Sequence, residues 1–145
     1  MWTTNSEIET EALGRSLAAQ LRPGDVLLLR GELGAGKTVF ARGVARGLGV
    51  EGPVSSPTFT LLICHEGRVP FHHFDLYRLA GEDDFFAAGL EDSVVGESVT
   101  LMEWPERCPE ALPACHLKIG IAYGASECER RITMTPCGGF REVTL

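Results

Sequence analysis

Apolar residues change their spacing along this chain, and each spacing predicts a different element. Residues 6–21 open with Ser6 and Glu9 in an S-x-x-E pattern and continue with apolar positions four or five apart. This is typical of an amphipathic helix that begins with a capping box. Residues 25–30 contain the continuous apolar run of residues 26–29, as in a buried parallel strand. A second helix follows, because Phe40, Val44 and Leu48 recur every four residues, and we expect it to end at Gly47 or Gly49.

The middle of the chain predicts a hairpin, a short helix and a buried strand. Residues 59–64 and 69–74 are separated by hairpin spacing, so we expect two antiparallel strands. Residues 81–90 predict a short helix with acidic residues in its positive first turn. Residues 99–102 predict a buried strand that ends at Glu103.

The last third of the chain has the alternation of strands. Residues 117–123, 130–135 and 140–145 alternate or nearly alternate between apolar and polar positions, with glycine-rich turns between them. We expect these three segments to form antiparallel strands that complete the sheet.

The first sign of chemistry lies between the first predicted strand and the second helix. Residues 31–38 read GELGAGKT and satisfy the phosphate-loop pattern G-x-x-x-x-G-K-[ST]. Glycines let successive backbone N–H groups point at phosphates, Lys37 would reach the β and γ phosphates, and the Thr38 hydroxyl would bind magnesium. The pattern predicts a nucleoside triphosphate site in an α/β fold of the P-loop NTPase type, with three layers and a mixed sheet that includes antiparallel strands.

Two carboxylates are candidates to complete this site. Glu103 follows the apolar run of residues 99–102, and Asp75 follows the second hairpin strand, so both would emerge at a sheet edge. One would bind the metal while the other orients the attacking water, and the sequence leaves the division open. A solvated strand end for Glu103 and a turn or helix cap for Asp75 are the structural alternatives.

Other residues near these motifs allow two interpretations each. Ser56, Pro57 and Thr58 fit either a nucleotide-sensitive switch loop or an ordinary turn. Trp104 fits either a position beside the nucleotide or core packing. Of His72 and His73, alternation along a strand predicts that one faces the core and the other solvent.

Composition narrows the possible functions. The formal net charge is −7, which argues against a broad nucleic-acid-binding surface, so any RNA role would run through a partner. Five cysteines without a C-x-x-C pair predict reduced cytosolic thiols rather than a zinc site or a disulfide. No stretch approaches the roughly 18 apolar residues of a membrane span. We therefore expect one soluble, cytoplasmic domain over residues 1–145.

Four motifs together resemble one family. They are GELGAGKT at residues 31–38, SPTFT at 56–60, HFDLYRL at 73–79 and EWP at 103–105. In this order they are similar to the TsaE (YjeE) family, small bacterial ATPases required to make threonylcarbamoyladenosine in tRNA. The resemblance covers roughly residues 5–110.

The resemblance implies magnesium-dependent ATP hydrolysis, with ATP and Mg²⁺ bound, within a complex with the TsaB and TsaD proteins. Contact with tRNA would then be indirect, and no membrane is involved. It implies hydrolytic roles for Asp75, Lys37 and Glu103, and magnesium binding by Thr38 and Glu103. The nucleotide would contact Leu33, Gly34, Ala35, Gly36, Lys37, Thr38 and Thr58, with weaker assignments for Glu7, Thr10, Trp104 and Glu106. It assigns no role to residues 108–145.

Two other functions share the phosphate loop. A small P-loop kinase would also need an acceptor pocket and a lid, for which the chain offers few residues. A nucleotide-gated binding module would hydrolyse slowly and act by docking. A Ras-type GTPase lacks support, because neither N-K-x-D nor a D-x-x-G after the switch segment is present.

Overall fold

The computed structural model describes residues 1–57, 59–94 and 96–145. Within these residues the chain forms three α-helices and seven β-strands. The helices are α1 (Glu7–Ala18), α2 (Lys37–Gly47) and α3 (Glu82–Ala87), and the strands are β1 (Trp2–Thr4), β2 (Val26–Gly31), β3 (Leu62–His65), β4 (Phe71–Asp75), β5 (Val99–Glu103), β6 (His116–Tyr123) and β7 (Arg130–Cys137).

The strands form one sheet in the order β1-β7-β6-β2-β5-β4-β3. Its centre is parallel, because β2 pairs in parallel with both β5 and β6, and β4 pairs in parallel with β5. Its margins are antiparallel, through the pairs β3–β4, β6–β7 and β1–β7. The predicted mixed sheet is confirmed.

Alternating side chains of the central strands divide the core into two layers. Leu27 and Leu29 of β2 belong to the apolar cluster that α1 and α2 cover. Val26 and Leu28 face the opposite cluster, with Phe85 of α3. Both faces of β2 are buried over residues 26–29 because helices lie on both sides, which explains why these four residues are all apolar. The three-layer arrangement is therefore also confirmed.

Helix α1 begins where the sequence predicts and ends earlier. The Ser6 hydroxyl oxygen accepts a hydrogen bond from the Glu9 N–H at 3.1 Å, as an N-cap does. The helix ends at Ala18 instead of Leu21, because the N–H groups of Gln20 and Leu21 bond three residues back and tighten the last turn. Leu21 remains buried.

The predicted hairpin is confirmed, although its strands are shorter. Strands β3 and β4 pair antiparallel with Leu62 opposite Phe74. The predicted helix at residues 81–90 is also shorter, since α3 ends at Ala87 and a separate 3₁₀ turn spans Leu90–Ser93.

The predicted strand at residues 140–145 is wrong. The edge of β7 on which it would pair is occupied by β1, whose Trp2 lies opposite Ile132. Arg141 instead binds both carboxylate oxygens of Asp25, at 3.0 and 2.6 Å, so the chain end packs irregularly against the connection between α1 and β2. No periodic pattern marks the three-residue β1 in the sequence.

Among the described residues, no helix is long and apolar enough to cross a membrane.

Candidate functional site

The loop between β2 and α2 has the backbone of an anion site. Gly34 and Gly36 have φ angles of +80° and +106°, which residues with a side chain rarely adopt. Gly36 is the N-cap of α2, and no side chain in the described part of the chain caps that helix. The first N–H groups of α2 are therefore available to an anion at the positive end of the helix dipole.

Lys37 lies buried at the base of this loop. Its Nζ donates to the Gly31 carbonyl oxygen at 2.5 Å and sits 3.7 Å from the centre of the Trp104 ring. Burial lowers the pKa of Lys37, and the carboxylates of Glu103 and Asp75 oppose that shift. The ammonium thus lies in the field of the two acids that the sequence singles out.

Asp75 and Glu103 lie side by side because their strands are parallel and in register. Asp75 is the last residue of β4 and lies opposite Glu103, the last residue of β5. The carboxyl ends of parallel strands meet at one sheet edge, where α/β proteins bind ligands. Both side chains are buried, at 4% and 2% exposure, so neither is a solvated strand end.

Hydrogen-bond donors orient each carboxylate. Asp75 accepts from the Ser56 hydroxyl on Oδ2 and from the Tyr77 N–H on Oδ1, both at 3.0 Å. Glu103 Oε2 lies 2.6 Å from Nε2 of His73, whose ring is fully buried. We assign a proton to His73 Nε2, because that nitrogen faces a carboxylate oxygen, which accepts; Nδ1 has no hydrogen-bond partner among the described residues.

Residues from five parts of the chain line a cleft of about 390 Å³. Its lining comprises Glu7, Leu33, Gly34, Gly36, Lys37, Thr38, Val39, Ser56, Asp75, Glu103 and Trp104. A second cleft of about 250 Å³ adjoins it across the glycines of the loop and is lined by Ser6, Glu7, Thr10, Gly34, Gly36, Val39, Glu127, Cys128 and Arg130.

Most of the residues that the sequence nominates meet at these clefts, and a few do not. Ala35 is fully buried and lines neither cleft, and Glu106 is exposed and acts on Lys37 only through its charge. Thr10 lines the second cleft, with its hydroxyl 2.7 Å from that of Thr4. Thr58 lies outside the described residues.

The oxygen groups fit a magnesium ion that also contacts phosphate. The Thr38 hydroxyl and the two carboxylates are hard oxygen donors lining one cleft. In the part of the chain that the structure describes, no three His, Cys, Asp or Glu side chains form a metal-binding group. Magnesium here would therefore take its other ligands from phosphate and water, as it commonly does.

For the two adjacent histidines, the prediction from strand alternation holds fully for the one in the core and only in part for the one expected in solvent. His73 faces the core, whereas the ring of His72 is only half-buried on the other face, with Nδ1 2.7 Å from the Ser93 carbonyl oxygen. Sequence reasoning missed the bond from His73 to Glu103. The available signal was its position two residues before Asp75, which places both side chains on one face of β4.

Sequence reasoning also missed the contribution of the last two strands. Tyr123 at the end of β6 donates from its hydroxyl to the Leu33 carbonyl oxygen at 2.9 Å. Arg130 at the start of β7 donates from Nε to the Ala35 carbonyl oxygen at 3.0 Å. No motif marks these residues, because only the pairing of β6 with β2 brings the hairpin beside the loop.

Comparison with known proteins gives a consistent result. The family model described as "Threonylcarbamoyl adenosine biosynthesis protein TsaE" matches residues 4–132. The tRNA threonylcarbamoyladenosine biosynthesis protein TsaE of Bacillus subtilis (strain 168) is 43% identical over 143 residues, covering 98% of this chain and 89% of that protein. Its counterpart from Treponema pallidum (strain Nichols) is 41% identical over 118 residues, covering 81% and 87%. The crystal structure of YdiB from Bacillus subtilis matches with a TM-score of 0.81 at 40% identity, covering 94% of this chain and 84% of that one.

Proposed function

Because this chain belongs to the TsaE family of tRNA threonylcarbamoyladenosine biosynthesis proteins, we propose that it is a magnesium-dependent ATPase acting in a complex with TsaB and TsaD. The observation that carries the proposal is the in-register pair Asp75 and Glu103, which lines one cleft with Lys37 and the phosphate loop. A glycine-rich turn alone would not need two buried acids.

The phosphate loop would bind the triphosphate. The N–H groups at the start of α2 have no side-chain cap among the described residues, and Lys37 would exchange its bond to the Gly31 carbonyl for one to a phosphate oxygen. Burial destabilises the charged form of Lys37. Exchanging the neutral carbonyl for an anionic polyphosphate would therefore stabilise the charge on its ammonium group.

The two acids would divide the remaining work. Thr38 and Glu103 would hold magnesium, which would neutralise charge on the β and γ phosphates. Asp75 would orient the attacking water and accept its proton, since its bonds to Ser56 and Tyr77 fix both carboxylate oxygens.

The segment of residues 56–60 would transmit the nucleotide state to partners. Ser56 binds Asp75 directly, and Phe59 in the same segment is 85% exposed. Loss or gain of the γ phosphate beside Asp75 would therefore act on Ser56, which lies three residues before an exposed apolar side chain.

Phosphate release with and without TsaB and TsaD tests this function. We expect slow turnover by the isolated chain, on the order of 10⁻³ per second as for an unassisted P-loop switch protein, and faster turnover when both partners are added. Asp75→Asn should lower hydrolysis at least about 100-fold while changing ATP affinity about threefold or less, and Lys37→Ala should weaken ATP binding about tenfold or more. Asp92→Asn, at an exposed position in the 3₁₀ turn, is the matched acid-to-amide control.

Two results would contradict the proposal. Wild-type hydrolysis by Asp75→Asn in the full complex would remove the catalytic role of Asp75. Partner binding that depends on nucleotide, with no turnover in any mixture, would favour the nucleotide-gated binding module instead.

A further inference from the structure

The β6–β7 hairpin ends against the phosphate loop. Tyr123 and Arg130 are the last register pair of this hairpin. The Tyr123 hydroxyl binds the Leu33 carbonyl, Arg130 Nε binds the Ala35 carbonyl, and the guanidinium carbon lies 4.7 Å from the centre of the Tyr123 ring. We call these two stacked side chains the hairpin brace.

The hairpin brace holds alternate carbonyls of the loop. In a trans peptide the C=O and the following N–H point in opposite directions. Because the Leu33 carbonyl points toward Tyr123, the Gly34 N–H points away from Tyr123. Because the Ala35 carbonyl points toward Arg130, the Gly36 N–H points away from Arg130. Gly34 and Gly36 line both clefts, so these are N–H groups available to a bound phosphate.

The brace is itself fixed in place. Arg130 Nη1 donates to the carbonyl oxygens of Glu127 and Glu129, at 2.7 and 2.9 Å, so the hairpin turn orients the guanidinium. A Cβ on Gly34 would lie 2.9 Å from the Tyr123 hydroxyl, which shows how closely the ring abuts the loop. Tyr123 thus supports the loop from outside both clefts, and Arg130 supports it from the wall of the second cleft.

We propose that Tyr123 and Arg130 are positioning residues that preset the phosphate loop for a polyphosphate; this rests on the proposed nucleotide function. Without the brace, the loop must turn its carbonyls outward when the ligand arrives, and that ordering reduces affinity. The brace contributes no group to the reaction.

Substitutions at Arg130 separate positioning from direct contact, because Arg130 also lines the second cleft. In Arg130→Gln, the side-chain amide nitrogen can occupy the place of Nε and still donate to Ala35, although the charge is gone. In Arg130→Met, a methyl group occupies that place and the donor is lost. Tyr123→Phe removes the other bond and keeps the ring.

The experiment measures affinities for Mg·ATP and for tripolyphosphate, which has no base or sugar, at a temperature where each variant is folded. We expect Tyr123→Phe and Arg130→Met each to weaken both ligands about 3- to 10-fold, the scale of one hydrogen bond. Arg130→Gln should stay within about twofold of wild type. Arg131→Met is the control, since Arg131 is half-exposed and pairs with Glu129 rather than with the loop.

Several outcomes would overturn the brace while leaving the proposed function intact. They are equal losses in Arg130→Gln and Arg130→Met, a loss for ATP with none for tripolyphosphate, or unchanged affinities with only a lower melting temperature. Absence of ATP binding by the wild-type chain would instead defeat the proposed function, and the brace with it.

Discussion

Glu103 lies between two side chains, one of which faces the ligand cleft and the other the apolar core. On one side it lies in the field of Lys37, which faces the cleft, and on the other it contacts His73, which faces the core. A buried carboxylate without a donor is costly, so the His73 contact stabilises the ligand-free site. His73 is therefore expected to hold Glu103 in place before any nucleotide arrives.

A double-mutant cycle tests this contact. His73→Leu should destabilise the protein by about 1–3 kcal/mol, because it leaves the Glu103 carboxylate unpaired. In a Glu103→Leu background the same change should cost at least about 1 kcal/mol less, as measured by denaturant unfolding. His72→Leu on the other face of β4 is the control and should be additive with Glu103→Leu. If the effects of His73→Leu and Glu103→Leu add to within about 0.5 kcal/mol, the contact between the two side chains does not contribute measurably to stability.

At the residue scale, the sequence predicts the residues that belong to a motif and misses the residues that hold them in position. Lys37, Thr38, Asp75 and Glu103 follow from the phosphate-loop pattern and from acids at strand ends. The bond from His73 depends on strand alternation combined with the register of β4 and β5. That register is a tertiary property, which no local spacing reveals.

At the element scale, two helices meet at glycines rather than at large apolar residues. A Cβ on Gly43 of α2 would collide with the backbone carbonyl of Glu11 in α1, and a Cβ on Gly14 would lie 2.5 Å from the Phe40 carbonyl oxygen. The close approach of the two backbones sets where α2 starts relative to the sheet. It therefore also sets the position of the phosphate loop.

Substitution at Gly43 tests this packing. Alanine is favoured over glycine in a free helix by about 1 kcal/mol, so propensity alone predicts a more stable Gly43→Ala protein. We expect a net loss of about 1–3 kcal/mol, because the helices must separate to admit the methyl group. Gly81→Ala is the control, since a Cβ there meets no atom of the described residues within 4 Å; because Gly81 is the N-cap of α3, where alanine is disfavoured, this change should cost about 1 kcal/mol or less. Equal or higher stability of Gly43→Ala in thermal unfolding would refute the close-packing argument.

Periodicity predicts the long helices and strands, but it fails where competition between segments determines which one pairs with a strand edge. The runs that became β2, α2 and β5 are identified by their own sequences, because burial on both faces or on one face leaves a local pattern. Residues 140–145 alternate like a strand, yet β1 pairs with the available edge of β7. Competition between distant segments for one edge is invisible in a window of local sequence.

At the scale of the whole molecule, the sheet order explains how distant motifs reach one site. Placing β2 beside β5, and β5 beside β4, brings the phosphate loop, Glu103 and Asp75 to the same edge. Placing β6 on the other side of β2 brings the hairpin brace against the loop. The sequence predicts the mixed sheet as a class, whereas this strand order follows only from the structure.

A crystal structure grown with Mg²⁺ and a non-hydrolysable ATP analogue tests the central claim most directly. We expect the β and γ phosphates on the N–H groups of residues 34–38, with Lys37 Nζ moved from the Gly31 carbonyl to a phosphate oxygen. Magnesium should lie about 2.1 Å from the Thr38 hydroxyl, with Glu103 and Asp75 directed at it or at its waters. Phosphates bound elsewhere, or Lys37 still on Gly31 with both acids remote from the metal, would contradict the account.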